Sequence, residues 1–160
     1  MIFSNNMNKD KIYMKIAYDL SELSHCVSHK VGAIIVKDGR ILSTGINGTP
    51  KGCTNCDEVF NRDHFDRMTH HQFNERFEIH AETNAIIFAA KQGIPIEDSV
   101  MYSTLYPCYN CLKIICNSGI KKVYYAEDYD LATKDEMVDD LLKKCGLEIE
   151  KLDMNEADDE

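Results

Sequence analysis

Two short strings, His80-Ala81-Glu82 and Pro107-Cys108-Tyr109-Asn110-Cys111, each open a helical pattern, and one metal ion shared between them would bring both helix starts to a single point. Ala81, Ala85, Ile86 and Ala89 recur at helical spacing after His80, with Gly93 as a C-cap. Pro107 introduces a second helix that carries Cys108 and Cys111 in its first turn and ends near Gly119. His80, Cys108 and Cys111 are zinc-ligand types, and three such ligands leave the fourth tetrahedral position open for water, as a catalytic site requires. The positive ends of both helices would face the metal and favour thiolate and carboxylate there. Glu82, two residues past the histidine, can stand beside the ion without binding it and reads as a general acid/base. A lone C-x-x-C also serves as a structural zinc knuckle or a redox pair, and a lone histidine as an ordinary polar residue. The two strings together favour catalytic zinc.

The chain has 160 residues, one domain's worth, and its hydrophobic (44%) and charged (28%) fractions are those of a globular protein. No apolar run is long enough to span a bilayer, and 1–10 has no signal-peptide core, so the expected place is the cytoplasm, or a host's cytoplasm if the source is viral. Seven cysteines in an odd set, with two C-x-x-C spacings, point to metal binding and free thiols rather than a disulfide scaffold. A formal net charge of -9 repels a polyanion, which argues against nucleic acid as substrate and leaves a small nucleotide in a local basic pocket. Part of that charge lies in 153–160, an acidic tail read as a disordered end.

From Asp10 to Ser24, Ile12, Ile16, Leu20 and Leu23 predict an amphipathic helix covering a sheet. Val31 to Lys37 and Ile41 to Ile46 are β-rich runs joined by Asp38-Gly39, a strong hairpin signal. Strands at 100–105 and 123–126 alternate with the two metal-bearing helices, a final helix runs from Thr133 to Cys145, and Leu147 to Leu152 adds an edge strand. The reading is one α/β domain over 1–152 with a mixed five-stranded sheet. The segment from Asn47 to Phe77 is too long and polar for an idle connection. It holds Cys53, Cys56, His64, His70 and His71, with Cys26 just before the first strand. These are either a second, structural zinc site that substitutes for packing or isolated thiols and solvated histidines, and spacing alone leaves both open.

Further strings narrow the reading: Lys30-Val31-Gly32-Ala33-Ile34-Ile35-Val36, Gly45-Ile46-Asn47-Gly48-Thr49-Pro50-Lys51-Gly52, Ile79-His80-Ala81-Glu82-Thr83-Asn84-Ala85 and Ser118-Gly119-Ile120-Lys121-Lys122-Val123. With these and the P-C-x-x-C string, the chain from Ile12 to Leu152 resembles the deoxycytidylate (dCMP) deaminases of phage and bacterial type, within the cytidine-deaminase-like superfamily. The resemblance implies a three-layer α/β/α fold and zinc-dependent hydrolysis of dCMP to dUMP and ammonia, the dUMP feeding thymidylate synthesis. It implies substrate contacts at Asn47, at Tyr129 as an aromatic neighbour, at Glu78 on the deoxyribose side, and at Ala81. The stretch Ser24 to Lys30, Ser28 included, is the candidate phosphate cradle.

The resemblance also implies a second zinc on Cys26, Cys56 and His70, with a fourth ligand among His64, His71 and Cys53. It implies a homohexamer that dCTP with Mg²⁺ activates and dTTP inhibits, through the loop of Gly45, Asn47, Gly48, Pro50, Lys51 and Gly52. Ile46 departs from the aromatic residue usual between that glycine and asparagine, so stacking on an effector should be weaker. Rival readings are a deaminase that also accepts dCTP, a deaminase of another nucleotide or of tRNA, and a zinc-stabilised nucleotide-binding module. The acidic charge argues against tRNA, and the intact Glu82 against a module without turnover.

Overall fold

The computed structural model describes residues 6–129 and 135–155. In chain order these form α1 (Asn6–Ser21), β1 (Gly32–Lys37), β2 (Arg40–Ile46), α2 (Cys56–Val59), α3 (Arg67–Phe77), α4 (Ala81–Gln92), β3 (Val100–Leu105), α5 (Tyr109–Cys116), β4 (Lys122–Glu127), α6 (Glu136–Cys145) and β5 (Glu148–Lys151). Asp38 and Gly39 turn the β1–β2 hairpin with φ of 52° and 73°, the paired positive angles that a two-residue hairpin loop needs. The sheet runs β2-β1-β3-β4-β5, antiparallel across its first three strands and parallel from β3 to β5. That is the mixed five-stranded sheet expected. Alternation along the strands divides the core into two faces. Ile34, Val36 and Tyr102 pack against Met14 and Ala17 of α1 on one side. Ile35, Met101 and Val123 meet Ala85, Leu112, Ile115, Val138 and Leu142, from α4, α5 and α6, on the other. The result is three layers, α/β/α.

Gly45 sets how closely α4 lies on the sheet. A Cβ there would stand 2.2 Å from the Ala81 carbonyl oxygen and 2.5 Å from the Ala85 nitrogen, so only glycine permits this approach of strand to helix. The Ser43 hydroxyl donates to the Ala85 carbonyl at 2.6 Å, and the Asn84 amide donates to the Ile46 carbonyl at 2.8 Å, which fasten α4 along β2.

Several boundaries differ from the sequence reading, among them the end of α5 at Cys116, short of Gly119. The first helix ends at Ser21, short of Ser24. The last helix begins at Glu136, and its expected start at 133–134 lies outside the described residues, as does the acidic tail from 156 on. The larger difference is in 47–77, which is not one irregular loop but carries α2 and α3. The sequence of α3, RMTHHQFNERF, lacks an apolar stripe because its helix packs through His70 and Phe73 on a small local cluster, and the Asp66 carboxylate caps its start by accepting from the Thr69 amide at 2.9 Å. Among the described residues no helix is long and apolar enough to cross a membrane.

Candidate active site and a second metal cluster

His80 is the N-cap of α4 and Cys108 the N-cap of α5, so both strings end at the same kind of place, the open amide end of a helix. The His80 side chain makes no capping hydrogen bond, and its Nδ1 lies 3.2 Å from Cys108 Sγ and 3.6 Å from Cys111 Sγ. Tetrahedral zinc with ordinary Zn–N and Zn–S bonds separates such donors by about 3.6 Å, so the three atoms already stand close to a zinc-ligand triangle. Cys108 Sγ also accepts from the Cys111 amide at 3.5 Å. Hydrogen bonds, first from the Cys111 thiol and then from His80 and the backbone, push the Cys108 thiol down to about 4. Cys111 is shifted upward, because its thiol donates to Cys108 and is buried, and Thr83 Oγ1 stands 3.3 Å from its sulfur. His80 is raised by its hydrogen bond to Cys108.

Glu82, the second residue of α4, is 3% exposed, and burial raises its carboxyl above the usual carboxylate range. Its Oε1 accepts from the hydroxyl of Ser103, on β3, at 2.7 Å. A buried carboxyl held beside a ligand triangle, without being part of it, can take a proton from water and give one back.

The zinc-binding region of cytidine and deoxycytidylate deaminases matches residues 7–127. The deoxycytidylate deaminases of Enterobacteria phages T2 and T4 are 39% and 38% identical to this chain, each over 88% of it and over 90% and 88% of their own lengths. The chain belongs to this deaminase family. Among solved structures, dCMP deaminase of cyanophage S-TIM5 in complex with dCMP and dUMP is 37% identical and superposes with a TM-score of 0.72, covering 95% of this chain and all (100%) of that one.

In this family member Cys26, Cys56 and His70, the set that the resemblance implied, come together. His70 Nε2 lies 3.3 Å from Cys56 Sγ and 3.8 Å from Cys26 Sγ, which again brackets the spacing of about 3.6 Å for tetrahedral zinc. All three are buried, and Phe60 and Phe65 pack their rings 5.2 and 5.0 Å from the imidazole. Desolvation pushes the Cys56 thiol up to about 12 and lowers His70. Cys53 and His64 are exposed, and His71 points out to Glu75, so none of the three joins the cluster. Glu78 does. Its carboxyl lies against the thiols of Cys56 and Cys26, raised by burial, and its Oε1 is buried with no hydrogen-bond partner. A soft triad with an orphaned buried oxygen at its edge fits a cation. With Nε2 facing the thiols, the His70 N–H is left at Nδ1, which meets Asn74 Nδ2 at 3.4 Å, while Asn74 Oδ1 is buried and unpaired. An amide oxygen turned to that N–H would lock the ring, the usual second partner of a ligating histidine.

The expected substrate residues divide. Asn47 is buried, and its amide ties the chain before β1: Nδ2 donates to the His29 carbonyl at 2.7 Å and Oδ1 accepts from the Val31 amide at 2.9 Å. Ala81 is buried against β2, while Tyr129 is half exposed beside Tyr109, whose hydroxyl donates to Asp135 at 2.8 Å. In the expected phosphate cradle, Ser24 turns inward to the Asn47 carbonyl, His25 pairs with Asp57 at 2.8 Å, and Ser28 and His29 stay exposed.

Gly45 and Gly48 are engaged in packing and pairing. Gly48 forms an isolated bridge with Ile79, which holds the loop against the residue before His80. The contact that the sequence reading missed is Ser103, because β3 is buried on both faces and only the fold places this serine against Glu82.

Proposed function

We propose that the protein hydrolyses dCMP to dUMP and ammonia, the dUMP serving thymidylate synthesis. The observation that carries this is the His80–Cys108–Cys111 triangle with the buried Glu82 carboxyl beside it. The deoxycytidylate deaminase relatives, which align over most of both chains, support dCMP as the substrate. Zinc held by the triangle supplies Lewis acidity, which lets water ionise near neutral pH. Glu82 accepts a proton from the water that attacks C4 of cytosine and delivers it to N3, then takes the proton of the new C4 hydroxyl and passes it to the departing amine. One water is consumed and one ammonia leaves.

Cys26, Cys56 and His70 are the ligands of a second, structural zinc, and the orphaned Oε1 of Glu78 supports Glu78 as its fourth. In this role Glu78, expected beside the deoxyribose, instead ties the residue pair before His80 to the α3 cluster. Asn47 acts on the nucleotide through the second N–H and the second lone pair of its amide. Regulation by dCTP with Mg²⁺ and by dTTP, in a homohexamer within the cytoplasm, completes the reading. The loop from Gly48 to Gly52 supports it, since it joins Asn47 on one side and Ile79 on the other. Ammonia release from dCMP, dCTP, deoxycytidine and cytidine, each with and without dCTP or dTTP, tests the function. Turnover of dCMP above the other three is expected, and no turnover of dCMP by zinc-loaded protein would overturn the proposal.

A further inference from the structure

On the face of the sheet that meets α4 and α5, β3 places Met101 and then Ser103. Its register partners on the flanking strands are Ala33 and Tyr125, and Ser103 has 0% exposure. A hydroxyl so buried costs free energy unless it is paired, and an aliphatic side chain would suit the layer better. Its proton has two acceptors, Glu82 Oε1 at 2.7 Å and the Leu105 carbonyl at 2.8 Å. A serine hydroxyl has one proton to give and can also accept. The carbonyl alone would satisfy the serine, so the contact to Glu82 is not explained by the serine's own burial.

We propose that Ser103 is a positioning residue for the deamination. It anchors one carboxyl oxygen of Glu82 and leaves the other to serve the water and the base. This rests on the reading of Glu82 given above. Leu105 in turn leads through Tyr106 and Pro107 to the ligand Cys108, so the same short segment of chain sets both the carboxyl and the metal.

The test compares Ser103→Ala, Ser103→Thr and Ser103→Val by steady-state kinetics on dCMP, with zinc content and Tm measured on each. Thr and Val have the same shape and differ in the hydroxyl, so their comparison removes the effect of crowding. Loss of a hydrogen bond to a charged group corresponds to about a 10- to 100-fold fall in kcat for Ala and Val. KM for dCMP should stay within about twofold and zinc content unchanged, with Thr restoring most of kcat. Ala at wild-type kcat, or Thr no faster than Val, would overturn the proposal. Crystal structures give an arm independent of turnover. A Glu82 carboxyl displaced in Ser103→Ala and in place in Ser103→Thr supports the anchoring role, and one unmoved in both overturns it. Wild-type protein inactive on dCMP would refute the functional reading, while the crystallographic comparison would still decide the role of Ser103.

Discussion

Replacing Gly45 by alanine tests whether the strand–helix approach, and not access of phosphate to a glycine loop, is what this residue provides. The added Cβ would lie 2.2 Å from the Ala81 oxygen and 2.5 Å from the Ala85 nitrogen. Both are backbone atoms, so no rotamer change relieves the contact. Carbon needs about 3.5 Å from such neighbours, so α4 and β2 must part by about 1 Å. Overpacking of this kind costs about 1–3 kcal/mol. For a chain of this size that lowers Tm by about 3–10 °C. The same displacement carries Glu82, one residue beyond Ala81, away from the ligands on α5. A misplacement of about 1 Å at a reacting group costs about 10²-fold in rate. Calorimetry and ammonia-release kinetics on Gly45→Ala, without effectors, should therefore show both losses together. An alanine variant with unchanged Tm and kcat, altered only in its response to dCTP or dTTP, would refute the packing argument and return Gly45 to the effector loop.

Glu82→Gln should keep fold and metal while losing about 10²–10⁴-fold in kcat, and near wild-type turnover with zinc bound would remove Glu82 from the mechanism. Elemental analysis should find about two zinc per chain in the wild type and about one in Cys56→Ser, with a lower Tm for the variant. A single zinc that Cys56→Ser leaves unchanged would exclude the second site. Asp66 caps α3 through Thr69, and these hydrogen bonds hold its carboxyl below its ordinary value of 3.8. A group with a lowered folded pKa stabilises fully above its ordinary value and loses that contribution as pH falls through the folded one. The Tm gap between wild type and Asp66→Ala should thus be widest near neutrality and close in acid below the ordinary value. A gap that stays constant would show that the cap acts without its charge.

The candidate ligand triangle, the carboxyl beside it and the β1–β2 hairpin were legible in the chain because each rests on local chemistry. Ligand types at fixed spacing, a helix start at His80 and another behind Pro107, and the Asp38-Gly39 turn need no partner from elsewhere to be recognised. Cys26, Cys56 and His70 were visible as ligand types, but 30 and 14 residues separate them, and only the fold shows them within bonding reach of one ion. The α3 helix escaped sequence reading because its packing partner is a cluster of ligands and phenylalanines, so no apolar period marks it. Tertiary structure also decided the parts of Glu78, Ser103 and Gly45. Read along the chain, these are a solvated acid, a strand serine and a loop glycine. Each acquires its role from an atom far away in sequence: a thiol on α2, a carboxyl on α4, a helix backbone pressed against β2. Long-range proximity of this kind is created by burying apolar faces, and the burial that brings the atoms together is spread over residues that carry none of the chemistry.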